Sequence, residues 1–177
     1  MAVLIEATCV VVRVEAIKDR YPGGWVAFRD SAPNRSLVCD NEIASIGFMA
    51  HQDVDAFIRH LQSLGLHFDE GGQTLDIAIV DQWHGITTPA DWLEFGRMGG
   101  EAMRVSACRL AGSREENFFT PDGWTYEGSA SQTMRLFSQE ELAKSLEYVE
   151  RQGSLDVYRD RATGKLLYVG RSGNKAG

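Results

Sequence analysis

Asp81, His84 and Glu94 are the side chains of this sequence best suited to act together, and they stand beside Trp83 and Trp92 in the stretch LDIAIVDQWHGITTPADWLEFGRM (75–98). A carboxylate within hydrogen-bond reach of a histidine can move protons near neutral pH. The same set could hold a metal through histidine and carboxylate, with His67 as a further ligand. A turn-borne Trp83 beside His84 also makes one aromatic wall of a pocket. The predicted ligand-binding set is therefore Asp81, Trp83, His84, Trp92, Glu94 and Arg104. The structural alternative is that Asp81 caps the following turn, His84 faces water and Glu94 pairs with Arg104 or Arg97. Catalytic residues and any cofactor stay unassigned, and no residue is assigned as a metal ligand.

Convergence of that set requires two neighbouring strands. Residues 75–82 alternate, with Leu75, Ile77, Ile79 and Asp81 on one face, so Asp81 interrupts an apolar row. Residues 88–91 (TPAD) read as one helical turn, with Thr88 as N-cap, Pro89 at the first helical position and Asp91 reaching back. From Trp92 the pattern is strand-like, with Glu94 and Met98 on the Trp92 face. Gly99-Gly100 turns the chain into a return strand over 102–110, which makes a hairpin.

Around this centre, residues 3–14 (VLIEATCVVVRV) form a strand apolar on both faces, which places it centrally in a sheet covered on two sides. Glu6 inside it needs a partner or a wet pocket. Residues 15–21 make a short helix ended by Pro22-Gly23-Gly24, 25–30 one further turn, and 37–39 and 66–68 short strands. Residues 43–49 form a strand that leads into a helix over 51–64, whose Val54, Phe57, Ile58, Leu61 and Leu64 make one apolar stripe ended by Gly65. A second helix is predicted over 139–152, with Ser138 and Glu141 as a capping box and Phe137 and Leu142 as a hydrophobic staple. Residues 155–159 and 166–171 pair as a C-terminal β-hairpin. The expected fold class is α+β: a mixed or largely antiparallel sheet packed by two main helices (about 51–64 and 139–152). One domain spans 1–171, followed by a flexible tail over 172–177.

At 177 residues with 44% apolar content, the chain can bury a core without metal or disulfide staples. Cys9, Cys39 and Cys108 are odd in number and far apart, which favours a reducing compartment. Residues 1–14 lack a basic leader and carry Glu6, so they match a signal peptide poorly. No apolar run approaches a membrane span. A net charge of −7 disfavours nucleic acid as a partner. The charge is uneven, with net +4 over residues 151–177. Glycine-rich phosphate loops, HExxH, GxSxG and EF-hand patterns are all absent.

Three passages between Ile46 and Gly96, IGFMAHQDVDAFIRHLQSLGL, DIAIVDQ and DWLEFG, resemble bacterial proteins of unassigned function. The whole chain is similar to stand-alone proteins carried on mobile integron gene cassettes. That group is often homo-oligomeric with small-molecule pockets, and it supplies no motif from which catalytic residues could be carried over. Without the short 66–68 strand, the element order over 43–110 is also similar to the βαβββ module of the glyoxalase and dioxygenase superfamily, in which a late glutamate or histidine binds metal; Glu94 is the nearest candidate for that position. The superfamily needs a second module, which the rest of the chain does not repeat. The sequence therefore predicts a cytoplasmic small-molecule-binding protein, homodimeric, with no nucleic-acid or membrane partner. A metal-dependent or acid–base enzyme is the first alternative, and an antitoxin-like interaction module the second.

Overall fold

The computed structural model describes residues 1–100, 102–114, 116–134, 146–152, 155–161, 164 and 166–170. The first elements are strands β1 (Ala2–Ile5) and β2 (Thr8–Arg13), helices α1 (Val14–Arg20) and α2 (Gly24–Asp30), and strands β3 (Val38–Cys39) and β4 (Ile43–Phe48). Helix α3 (His51–Ser63) follows, then strands β5 (Asp69–Glu70), β6 (Gln73–Thr74), β7 (Ile77–Asp81) and β8 (Gly85–Ile86). Strands β9 (Leu93–Met98), β10 (Val105–Leu110) and β11 (Phe118–Phe119) precede helix α4 (Ala130–Met134). Strands β12 (Leu146–Gln152), β13 (Leu155–Asp160) and β14 (Leu166–Gly170) end the described chain. The class is α+β, and among the described residues every strand pair is antiparallel except β1 with β11.

The predicted strand over 3–14 is two strands in two sheets. Its first half, β1, sits in a four-stranded sheet of order β11-β1-β10-β9, and its second half, β2, is central in a five-stranded sheet of order β3-β4-β2-β7-β8. Ala7 breaks the strand with a left-handed φ of 56°. Glu6 finds its partner here, its Oε1 accepting a hydrogen bond from Ser131 N at 2.8 Å.

Both faces of β2 are covered, as its apolar composition predicts. On one face Val10 and Val12 join Ile46 and Ile77 against Ile17 of α1, Phe28 of α2 and Val54 and Leu61 of α3. The stripe predicted for α3 is the buried one, apart from Leu64, which is only partly covered, and Gly65 takes the left-handed position after it with φ 100°. On the other face Cys9, Val11 and Val80 meet Val3, Ile5, Leu93 and Cys108 of the four-stranded sheet. The layers are helices, five-stranded sheet, four-stranded sheet.

Four local expectations are corrected. Leu146–Gln152 is strand β12, paired with β13, rather than the end of a helix over 139–152; residues 139–145 lie outside those described. Cross-strand packing of Tyr148 edge-on against Tyr158, at 5.6 Å between ring centroids, favours pairing over local helix propensity. Residues 66–68 are no strand; Leu66 turns into the core, and β5 and β6 close a hairpin across Gly71-Gly72, both with positive φ. Residues 88–91 are no helical turn, because the Thr88 hydroxyl accepts from Ile79 N and the Pro89 carbonyl accepts from Thr74 N and Oγ1. Finally, 43–110 is not a βαβββ module. Strands β4 and β7 flank β2 from outside that stretch, while β9 and β10 belong to the other sheet. The predicted C-terminal hairpin is present as β13 and β14, and the tail over 172–177 lies outside the described residues.

The kink sets a first prediction. A left-handed Cβ residue costs about 1 kcal/mol that glycine avoids, although glycine gains freedom in the unfolded chain. Ala7→Gly is therefore expected to raise the urea midpoint, through roughly 0.5–1 kcal/mol of added stability. A lowered midpoint would show that the Ala7 methyl contributes more packing than its backbone costs.

Candidate functional site

Strands β7 and β8 form a hairpin in which Asp81 pairs with Gly85 across a three-residue loop, Gln82-Trp83-His84. Gly85 has φ 77°, the left-handed position that closes such a loop. The Asp81 carboxylate builds the turn. Its Oδ1 accepts from Trp83 N at 2.8 Å, His84 N at 2.9 Å and the His84 ring at Nδ1, 2.8 Å away. Thr8 Oγ1 adds a longer bond to Oδ2 at 3.4 Å. The carboxylate is nearly buried, with 12% of the Asp81 side chain exposed, whereas the His84 side chain is 68% exposed. Asp81 thus takes the capping role of the structural alternative and also orients the imidazole.

The turn is fastened to its surroundings through backbone carbonyls. Ser106 Oγ donates to Gln82 O at 2.8 Å, and Arg97 Nη2 donates to Trp83 O at 2.9 Å. Buried Gln82 reaches the kink, where its Oε1 accepts from Ala7 N and its own N–H donates to Ala7 O, both at 2.9 Å. Trp83 itself stands 39% exposed at the tip.

The other predicted site residues lie elsewhere. Trp92 is buried between the sheets; its Nε1 donates to Thr74 O at 2.9 Å, and the Arg13 guanidinium lies over its ring, 5.3 Å from the centroid. Cross-strand register places Glu94 opposite Arg109, and Phe95 opposite Cys108. Phe95 faces inward, against Gly85, so Glu94 faces the outer side of the four-stranded sheet, away from Asp81 and His84. There Arg109 Nε donates to Glu94 Oε2 at 2.7 Å, with a longer bond from Gly112 N. The partner is Arg109 rather than Arg104 or Arg97. Arg104 is exposed in the turn before β10. Asp81, Trp83 and His84 therefore come together; Trp92, Glu94 and Arg104 do not join them.

The outer face holds a groove that the sequence pattern does not reveal. Cross-strand pairs on this face run Glu94–Arg109, Gly96–Ala107 and Met98–Val105, so the middle pair carries almost no side chain. The resulting groove has a volume of about 440 Å³ and is bordered by Ala2, Glu94, Met98, Arg109 and Glu116, with Gly96 and Ala107 in its floor. A Cβ on Gly96 would meet nothing within 4 Å. Gly96 inside a strand was the available signal, because strand glycines often mark close approach of another group. Its meaning depends on register.

Burial pushes the Cys9 thiol up to about 11 and the Cys108 thiol higher still, which keeps both protonated and inert. His67 Nδ1 lies 2.6 Å from Glu70 Oε1, on the surface. Among the described residues no three His, Cys, Asp or Glu side chains are grouped to hold a metal ion. No helix of the described residues is long and apolar enough to cross a membrane. No protein-family model, curated protein or solved structure matches the chain.

The Arg109 guanidinium, followed by the Gly112 N–H, holds the Glu94 carboxyl below the ordinary glutamate range. Because the folded value is depressed, the contribution of the pair is present above the unfolded glutamate value and fades as pH falls through the folded one. An NMR titration of Glu94 is expected to show a low midpoint in the parent protein and a higher one in Arg109→Ala. Equal midpoints would mean that the two side chains are not paired in solution.

Proposed function

We propose that this protein binds a small molecule on the outer face of the β9–β10 hairpin, and that it works in the cytoplasm as a homodimer. The observation that carries the reading is the groove made by the Gly96–Ala107 pair, whose 440 Å³ falls within the range of small-ligand sites. One end presents the charged Glu94–Arg109 pair and the other the thioether of Met98, an adaptable apolar contact. A ligand that fits has a flat apolar body over Gly96 and Ala107 and a charged group at the Arg109 end. This moves the ligand site away from the Asp81–His84 turn and keeps Glu94 in it. Three free cysteines support a reducing compartment. Exposed Met98 and Met103 in the β9–β10 hairpin support self-association there. An origin among integron gene cassettes belongs to the same proposal and rests on the resemblance of the chain to such proteins alone.

A fragment screen read by amide NMR shifts tests the site. Saturable shifts are expected at Gly96, Arg97, Ala107 and Cys108. Gly96→Leu fills open space, so it is expected to weaken those fragments at least tenfold, about 1.4 kcal/mol, with little change in melting temperature. Fragments that bind equally well to Gly96→Leu would place the site elsewhere. Light scattering behind gel filtration reads the oligomer; a species of single-chain mass at high micromolar concentration would end the dimer reading.

A further inference from the structure

The Asp81–His84 turn has a chemistry of its own, separate from the groove. In the neutral imidazole only one ring nitrogen carries a proton, and a carboxylate oxygen 2.8 Å from Nδ1 selects the tautomer with that proton on Nδ1. The Nε2 lone pair is then left as the basic position of a ring that is 68% exposed. The carboxylate is itself fixed by two backbone N–H bonds, so the pair is held in one geometry before any substrate arrives. This is the base-and-orienter half of a hydrolytic triad, with water available in place of a side-chain nucleophile. Trp83, the preceding residue, is an aromatic side chain 39% exposed, and Arg97 is tied to the Trp83 carbonyl one residue from His84. Only one of the five N–H donors of a guanidinium is needed for that bond.

We propose that His84, positioned by Asp81, is a general base that hydrolyses esters with an aromatic leaving group. The aryl ring lies on Trp83. A water oxygen bonds to the ester carbonyl carbon as His84 Nε2 takes one of its protons, and the carbonyl π pair moves onto oxygen, where Arg97 stabilises the negative charge. Collapse of this adduct re-forms the carbonyl and breaks the bond to the aryl oxygen, which leaves with the proton from Nε2. Ester and water become carboxylic acid and phenol, and His84 returns to its starting state. A leaving group as stable as a phenolate matches a site that supplies a base and one cation.

The test uses the full chain and p-nitrophenyl acetate, followed by release of p-nitrophenolate. The chain has four histidines, His51, His60, His67 and His84. His84→Ala is expected to lower kcat/KM at least tenfold, the lower edge of what general-base catalysis contributes being about a hundredfold. His51→Ala, His60→Ala and His67→Ala are expected to leave it unchanged. Added imidazole should restore part of the rate to His84→Ala. Asp81→Asn keeps an acceptor oxygen for the turn and is expected to lower kcat with KM unchanged. Non-specific surface hydrolysis would instead cost each single histidine variant about a quarter of the rate, and that result overturns the proposal. So does a His84→Ala protein that melts like the parent and retains more than half of its activity.

Discussion

A buried amide, Gln82, couples the two sheets at the crossing of the chain between them. Gln82 accepts from Ala7 N through its side chain and donates to Ala7 O through its backbone, so both polar groups of the kinked residue are satisfied by one neighbour. Without such partners the break between β1 and β2 would leave a peptide unpaired between two apolar layers, at a cost of about 1–3 kcal/mol. The remaining carbonyl of Gln82 is taken by Ser106 of β10, which lies in the sheet that β1 enters. One residue thus ties the strand crossing, the β7–β8 turn and the start of the return strand. The position of the Asp81–His84 pair follows from a requirement of the fold.

A second polar seam closes the other end of the β2–β7 pair. Arg13 N donates to Asp76 O, and the buried Asp76 carboxylate accepts from His67 N at 2.7 Å and from the Arg20 guanidinium. Arg13 also covers Trp92, whose indole N–H donates to Thr74 O. This seam joins the end of α1, the segment after α3 and the start of β9 to the central sheet. Arg20 is largely exposed, so the worth of its charge is screened; the His67 N–H bond to a buried oxygen is the firmer part. Trp92 therefore anchors the packing between the sheets instead of lining a site, in keeping with the usual role of a buried tryptophan.

Much of the fold was legible because the pattern and the packing agree. The α3 stripe, the two-faced apolar run of β2, the β9–β10 hairpin and the β13–β14 hairpin all follow from periodicity and turn residues. The split at Glu6-Ala7 was hidden because odd-numbered residues keep one parity across the kink. Val3, Ile5, Cys9 and Val11 all enter the same core, from two sheets that face each other. Residues 146–152 continue a helical pattern that opens at the Ser138–Glu141 capping box, but strand partners supplied from 155–160 override it. Of the site, Asp81 with His84 was readable as a carboxylate breaking an apolar row before a turn. Glu94 was misplaced because its face depends on the sheet to which β9 belongs, and that is a property of the whole topology.

The same dependence explains why the groove and the Asp81–His84 turn are neighbours without being one site. Arg97 follows Gly96 in β9, and its side chain reaches Trp83 O on the inner side. Adjacent strand residues point to opposite faces, and Gly96 and Arg97 therefore serve different surfaces although they are consecutive. The Gly96 position lies over the floor of the β9–β10 hairpin, whereas His84 stands in the β7–β8 turn that Arg97 reaches from the other side.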